Sequence, residues 1–180
     1  MIQNSPDLIT YKTNLDSCIA AIRRHKLDSS PAIKVLSLLN VTVYVLATRF
    51  IEASVKHIIH NCCIMRGDSQ QQLEDLITSL KSFNNPEYGN IVRMFNDKLN
   101  FNINEGLSSR KFEQSDITFL NEVVNNRHRN VHANSDATTW YNSNQKDIED
   151  FLREYPSIVK IIGYLDSIEF NRDTGTFLVQ

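Results

Sequence analysis

The stretch LSLLNVTVYVLATRFIEASVKH, residues 36 to 57, decides the fold. Its core-facing positions recur in steps that alternate between three and four residues. They are Leu36, Leu39, Val43, Leu46, Phe50, Ala53 and His57. This spacing places them on one face of an α-helix that packs along most of its length. The β-branched run VTVYV is typical of a strand, but the same seam continues through it. The sequence therefore predicts one long helix here.

Helix start and stop signals surround this segment. Ser5 with Pro6, and Ser30 with Pro31, predict two helix starts, because proline is favoured in the first turn. Gly67 predicts the end of the long helix. The whole chain of 180 residues has 5 glycines and 4 prolines, which is too few for a turn-rich β fold. We therefore expect an all-α protein, an up-and-down bundle of four to five main helices.

Four further segments carry helical patterns, the first capped by Ser69 and the third by Asp116. They are residues 69–83, 86–101, 117–133 and 145–170. In the last of them, Pro156 is expected to kink or restart the helix. The remaining stretches are expected to be a loop at 103–115, a polar connection at 134–144 and a short C-terminal tail with a turn at 171–180.

Length and composition narrow the class of protein. The chain fits one domain, residues 1–180, and its net charge of -2 excludes a global basic field for nucleic acid. Three cysteines, Cys18, Cys62 and Cys63, are an odd number and indicate a reducing compartment rather than a disulfide framework. The sequence has no signal-peptide pattern at its start and no apolar run long enough for a bilayer. A cytoplasmic protein without a membrane span is the expectation.

Local positive charge gathers in NNRHRNVHANSD, residues 125 to 136. On a helical wheel, one polar row borders the apolar stripe and holds Asn121, Asn125, His128 and His132. Two interpretations remain open. In the structural one, the asparagines bond to a neighbouring loop and the histidines complete a helix end. In the functional one, the row is a groove that offers acid, base and cation to a phosphodiester.

A second basic run, RRHK at residues 23–26, has the same two interpretations. It either opposes the dipole at the end of the first helix or contacts RNA.

The spacing of Arg127 and His132 constrains the assembly. Five residues separate them, which is about 140° on an ideal helix, so one straight helix cannot aim both side chains at one atom. Two copies of the motif that meet across a twofold axis would place both rows in one cleft. The sequence therefore predicts a homodimer with this helix at the interface.

The same residues resemble a known family. The pattern Arg-polar-x-x-x-His, at Arg127, His128 and His132, resembles the motif of HEPN domains. Three strings are similar to the RiboL-PSP-type branch of that superfamily: LNEVVNNRHRNVHA, NPEYGNIVRMF and LATRFIEASVKHII. The resemblance covers roughly residues 35 to 165. It implies a helical bundle that dimerises through the motif helix. It also implies either a metal-independent endoribonuclease in a defence or toxin–antitoxin setting or a non-catalytic binding domain.

The chemistry of these side chains suits RNA cleavage by the 2′-OH. We expect His132 to act as the acid/base group, Arg127 to hold the phosphate, and His128 to assist or make the second proton transfer. Substrate contacts are expected from Asn125, Asn126 and Arg129. The products would be a 2′,3′-cyclic phosphate and a 5′-OH.

Metal binding is another interpretation of the histidine spacings. His128 and His132 have the spacing of two zinc ligands, and HIIHNCC at residues 57–63 holds two histidines and two thiols. Neither offers a third ligand with clear spacing, so no metal or cofactor is expected.

The alternative to a homodimeric ribonuclease is a non-catalytic helical module that binds RNA or a protein, such as an antitoxin or a defence effector.

Overall fold

The computed structural model describes residues 2, 5–29, 33–131 and 148–179, and the side chains of 28–29, 33–38 and 128–131 lie outside that description. Within it the chain forms seven helices and one hairpin. They are α1 Pro6–Ser29, α2 Ile33–Arg66, α3 Gln70–Leu80, α4 Tyr88–Leu99, α5 Asn104–Ser108, α6 Gln114–Val131, α7 Ile148–Asp166, β1 Ile168–Asn171 and β2 Thr176–Val179. The prediction of an all-α bundle is confirmed.

Four long helices, α1, α2, α6 and α7, form the bundle. Contacts between α1 and α2 pair the start of one with the end of the other, as where the Ser5 hydroxyl lies 2.8 Å from the His57 Nε2. In the same way, α6 and α7 are joined at opposite ends by Asp116 with Lys160. Neighbouring helices therefore run in opposite directions. Arg23 near the end of α1 also pairs with Glu149 at the start of α7 at 3.0 Å. The C-terminal ends of α1 and α6 and the start of α7 therefore lie at one end of the bundle, which we call the motif end.

The long helix α2 is the centre of the core. It contacts α1, α6 and α7 as well as the shorter α3 and α4. Its residues Val43, Ala47, Phe50 and Ile51 are buried, so the run that resembled a strand is helical. At its end, Gly67 has a φ of 89°, and the Gly67 and Asp68 N–H groups donate to carbonyls of the last turn. That backbone conformation favours glycine and confirms the predicted stop.

The predicted starts of α1 and α3 are confirmed, but that of α6 is not. The predicted start at Ser30 and Pro31 and the polar connection at 134–144 lie outside the described residues. Pro6 is the first residue of α1, and Ser69 forms a capping box with Gln72 at the start of α3. Helix α6 begins at Gln114, before the expected cap. Asp116 instead lies in its first turn, where its carboxylate accepts from the Glu113 N–H at 2.7 Å.

Two expected loops contain regular structure. The stretch 103–115 holds α5, whose Gly106 is buried so closely that a Cβ would lie 2.3 Å from the Phe112 ring and 2.7 Å from the Tyr164 ring. The end of the segment predicted as helix up to Phe170 is instead the strand β1. Cross-strand packing explains it, because Phe170 lies opposite Phe177 in β2 with ring centroids 5.0 Å apart. The expected tail thus supplies the second strand of a hairpin.

Helix α7 continues through Pro156 to Asp166 as one element, so the proline does not restart the helix. Pro156 is exposed, while the residues on either side of it that face the bundle, Phe151, Tyr155 and Ile158, are buried. Packing of these side chains keeps the two halves of the helix together. No helix in the described part of the chain is both long and apolar enough to cross a membrane.

Candidate nucleic-acid interface

The predicted motif lies on the last turns of α6. The first turns of this helix are anchored by apolar side chains, and Ile117, Leu120, Val123 and Val124 are all buried. This agrees with the apolar stripe expected from the wheel. Helical backbone extends through His128 and Arg129 to Val131, although the side chains of those three residues are outside the described set. His132 lies outside the described residues altogether.

Asn121 has the structural role considered for it. Its Oδ1 accepts the Tyr88 N–H at 2.8 Å. Tyr88 is the first residue of α4, and the N-cap residue Glu87 gives no side-chain hydrogen bond. A free N–H at a helix start needs a partner. Asn121 therefore caps α4 from a neighbouring helix, and the first position of the polar row belongs to the fold.

Asn125, one turn further along that row, differs. Its side chain is exposed, and it has no side-chain hydrogen bond to any described residue. The neighbouring Asn126 is only 8% exposed, and its Nδ2 donates to the Glu122 carbonyl at 2.9 Å. Of the two asparagines expected to contact a substrate, Asn125 thus faces solvent and Asn126 faces the core of this chain.

Arg127 is half-buried against the loop between α3 and α4. Its Nη1 donates to the Asn84 carbonyl at 2.8 Å. A guanidinium carries several N–H donors in a planar fork, so one contact with a carbonyl leaves others for a phosphate. The hydrogen bond restricts the side chain to one edge of α6, the edge next to that loop.

The α3–α4 loop is a part of the site that the sequence did not reveal. Its Asn84 carbonyl contacts Arg127 of α6, and the first residue of α4 after it, Tyr88, contacts Asn121 through its N–H. Pro86 is buried, and the Asn85 Oδ1 is buried without a hydrogen-bond partner among the described residues. A signal was present, since NPEYGNIVRMF resembled the same family branch as the motif itself.

The sequence also did not predict the acidic groups near the motif end. Burial, together with the charges of Glu122, Asp150 and Glu154, raises the pKa of the Tyr44 phenol above its usual range. These carboxylates come from α6 and α7, and they lie close enough to Tyr44 of α2 to act on its phenol. The sequence has no acidic residue between positions 123 and 135. The folded bundle nevertheless brings Asp150 and Glu154 of α7 close to Tyr44.

The three described motif residues diverge within one chain. Asn125 faces outward, Asn126 faces inward, and Arg127 reaches the α3–α4 loop. The chain thus presents an amide and a guanidinium on different sides of α6. An anion that touches both needs either a bent path across the helix end or a second copy of the helix.

The other histidine cluster is structural. The His57 Nε2 lies 2.8 Å from the Ser5 hydroxyl and 2.8 Å from the Asn61 Nδ2, and its Nδ1 lies 3.6 Å from an Asp7 oxygen. Ser5 is 5% exposed, so these contacts fix the start of α1 on α2. Burial raises the pKa of the nearby Cys62 thiol to about 12, which keeps it protonated. Among the described residues, no three potential ligands are grouped around a metal position.

Comparisons of this chain with models of known protein families, with curated proteins and with solved structures gave no match.

Proposed function

We propose that the chain is a metal-independent endoribonuclease that acts as a homodimer with α6 at the interface. The observation that supports it most is the position of Arg127, the first residue of the Arg127 to His132 motif, which lies half-buried at the edge of α6 beside the α3–α4 loop. Arg127 is held there by one carbonyl and keeps further N–H donors. The resemblance to HEPN domains points to the same residues.

The reaction uses the nucleophile that RNA carries itself. One imidazole, that of His132, removes the 2′-OH proton, and a second, that of His128 or of the other subunit, protonates the leaving 5′ oxygen. The 2′ oxygen bonds to phosphorus as the bond to the 5′ oxygen breaks, which gives a 2′,3′-cyclic phosphate. Arg127 stabilises the charge that builds on the non-bridging oxygens. Asn125 and Arg129 contact the RNA backbone, and Asn126 holds the helix from inside.

A homodimer can bring Arg127 and His132 together, which one straight helix cannot do. Arg127 and His132 are about 140° apart on an ideal helix. A twofold axis beside α6 brings Arg127 of one copy toward His132 of the other. Such a nuclease fits a defence or toxin–antitoxin setting, with a protein partner that restrains it.

The test is cleavage of labelled RNA by the purified chain, with and without EDTA. We expect cleavage in both conditions and cyclic-phosphate ends. His132→Ala is expected to slow it by about 10² to 10⁴, the usual contribution of an acid/base group. His60→Ala on α2 is the matched control and should cleave at the parental rate. Full activity of His132→Ala, or loss of activity with EDTA, would refute the proposal.

A non-catalytic RNA-binding module is the second candidate. It is favoured by the contacts that Asn126 and Arg127 already make within the chain, since both have structural partners. In that case the parent cuts no RNA but binds it, and binding weakens as salt rises because phosphate contacts release counterions. Light scattering at micromolar concentration tests the homodimer, because a monomer would contradict a cleft formed by two copies of α6.

A further inference from the structure

A long groove runs between α1 and α2. Two cavities of about 400 Å³ and about 340 Å³ lie end to end along it. Both are lined by Tyr11 and Ala53, so the two cavities are adjacent. Ile77 and Leu80 of α3 close one end, and Ile77 is 46% exposed although it is a large apolar side chain.

The lining of the groove repeats at helical spacing. From α1 come Tyr11, Leu15 and Cys18, and from α2 come Leu46, Phe50, Ala53 and His57. Along α2, the lining extends from Leu46 to His60, which is a length of about 21 Å. Two antiparallel helices with such a seam between them form the receptor surface for a third helix of about four turns.

Cations surround this apolar floor. Arg49, Lys56 and Lys81 line the two cavities. Lys56 pairs with Glu52 at 2.6 Å. Arg49 and Lys81 are exposed, and neither has an ion pair within the described part of the chain. Arg49 and Lys56 are seven residues apart, so their charges recur every two turns.

We propose that this groove binds an amphipathic helix of a partner protein, with carboxylates on either side of its apolar stripe. The apolar floor requires an apolar face, since phosphates and bases would find few hydrogen-bond partners on Phe50, Leu46 and Ala53. The cationic rim requires acidic flanks. The spacing of Arg49 and Lys56 fits a pair of Glu or Asp side chains seven residues apart. This interaction goes beyond the ribonuclease proposal, because no motif residue in the described part of the chain lines either cavity.

A display library of amphipathic helices tests this proposal. Each helix is about 14 residues long, the length that fills about 21 Å. The apolar stripe is fixed, and flanking positions vary among Glu, Lys and Gln. Selection against the full chain should enrich Glu at flanking positions seven residues apart. Enrichment of Lys or Gln, or binders that bind Ala53→Glu as well as the parent, would overturn the proposal.

The rim is tested separately with a selected acidic peptide. The double variant Arg49→Glu with Lys81→Glu changes exposed side chains, so it avoids the packing risk of Ala53→Glu. It should weaken peptide binding by about tenfold or more through like-charge repulsion. The matched control, Arg93→Glu with Lys111→Glu, reverses two exposed cations elsewhere and should bind as the parent does. Equal affinity of the two double variants would contradict the charge complementarity.

Thiol labelling identifies what covers the groove. Cys18 lines it and is partly exposed, while burial raises the pKa of Cys62 to about 12 and of Cys63 to about 11. A maleimide should therefore modify Cys18 first, and the acidic peptide should slow that modification. Protection by RNA alone, or protection that rises with protein concentration alongside dimer formation, would assign the groove to RNA or to a second copy and overturn the proposal. RNA cleavage should be the same in every groove variant.

Discussion

The two ends of α6 are built differently. At the first turn, Asp116 is buried, accepts from the Glu113 N–H and binds the Lys160 ammonium at 2.8 Å and 3.1 Å. Burial raises the pKa of this carboxyl, but hydrogen bonds from Lys160, Ser157 and the Glu113 N–H outweigh it and hold the pKa below its ordinary range. Both carboxylate oxygens of Asp116 thus have partners that belong to the fold.

At the last turns, the polar groups are only partly used by the fold. Asn125 has no described partner, and Arg127 gives one N–H to Asn84. Arg127 has no acidic partner among the described residues, and a charged group at the edge of a bundle costs little in water but gains much from an incoming anion. The comparison indicates that the fold uses the polar groups at the start of α6 more fully than Asn125 and Arg127 at its end.

Arg127→Ala is expected to have the largest effect, and on rate rather than stability. Cleavage should fall by about 10² or more, as when a donor to transition-state charge is removed. The free energy of unfolding should fall by about 1 kcal/mol at most, since one hydrogen bond to an exposed carbonyl is lost. Arg93→Ala on α4 is the control, with parental rate and stability. A loss of rate no larger than that of Arg93→Ala would remove the distinction between the two ends.

Gly106→Ala is expected to act on the start of α6 through its entry loop. The new methyl would meet the Phe112 and Tyr164 rings, which pack against each other at 5.3 Å between centroids. Overpacking costs about 1 to 3 kcal/mol, and the upper end applies because the methyl would lie 2.3 Å from a ring atom of Phe112; about 1 kcal/mol is regained in helix propensity. We expect urea unfolding to show a net loss of about 2 kcal/mol. Gly89→Ala is the control, because a methyl there meets no atom within 4 Å.

Asp116→Asn should destabilise the chain by about 1.5 kcal/mol at neutral pH and leave cleavage at low temperature unchanged. The folded pKa is lowered, so the carboxylate stabilises the fold above the ordinary carboxyl range and loses that effect as pH falls through the folded pKa. The parent and Asp116→Asn should thus approach equal stability below about pH 4. Asp97→Asn, at an exposed site, should match the parent throughout. A constant difference down to pH 2 would contradict this origin.

The helices of the bundle followed from local sequence signals. The seam of α2, Pro6 at the start of α1 and the capping box at Ser69 depend on neighbours in the chain, so spacing alone predicted them. The hairpin and the burial of Gly106 depend on pairing across the fold, with Phe177 and with Tyr164, and no local pattern carries that information. Only in the hairpin was a predicted helix overridden by tertiary contacts, at residues 168–170.

The candidate site was predictable to a smaller extent. The wheel separated the buried stripe of α6 from its polar row. It could not show that Asn121 caps α4 or that Asn84 binds Arg127, because those partners are distant in sequence. It also could not show Glu122, Asp150 and Glu154 around Tyr44. Charges contributed by separate helices only meet when the bundle forms.

Asn125→Ala is expected to have the smallest effect on the free energy of unfolding, and it is compared with Asn121→Ala. Asn121 and Asn125 occupy one row of α6, yet one caps α4 and the other faces solvent. Asn121→Ala leaves the Tyr88 N–H without its acceptor and should cost about 1 kcal/mol. Asn125→Ala removes no contact within the described chain and should change the free energy of unfolding by less than about 0.5 kcal/mol.

The readout that matters for Asn125 is RNA affinity, measured by fluorescence anisotropy at two salt concentrations. A contact between Asn125 and the RNA backbone predicts weaker binding by a few-fold with an unchanged salt slope, because an amide releases no counterion. Arg127→Ala should instead reduce the slope by about one. If Asn125→Ala bound RNA as tightly as the parent at both salt concentrations, the interface would not include this face of α6. Arg127 would then contact RNA from the side of the α3–α4 loop.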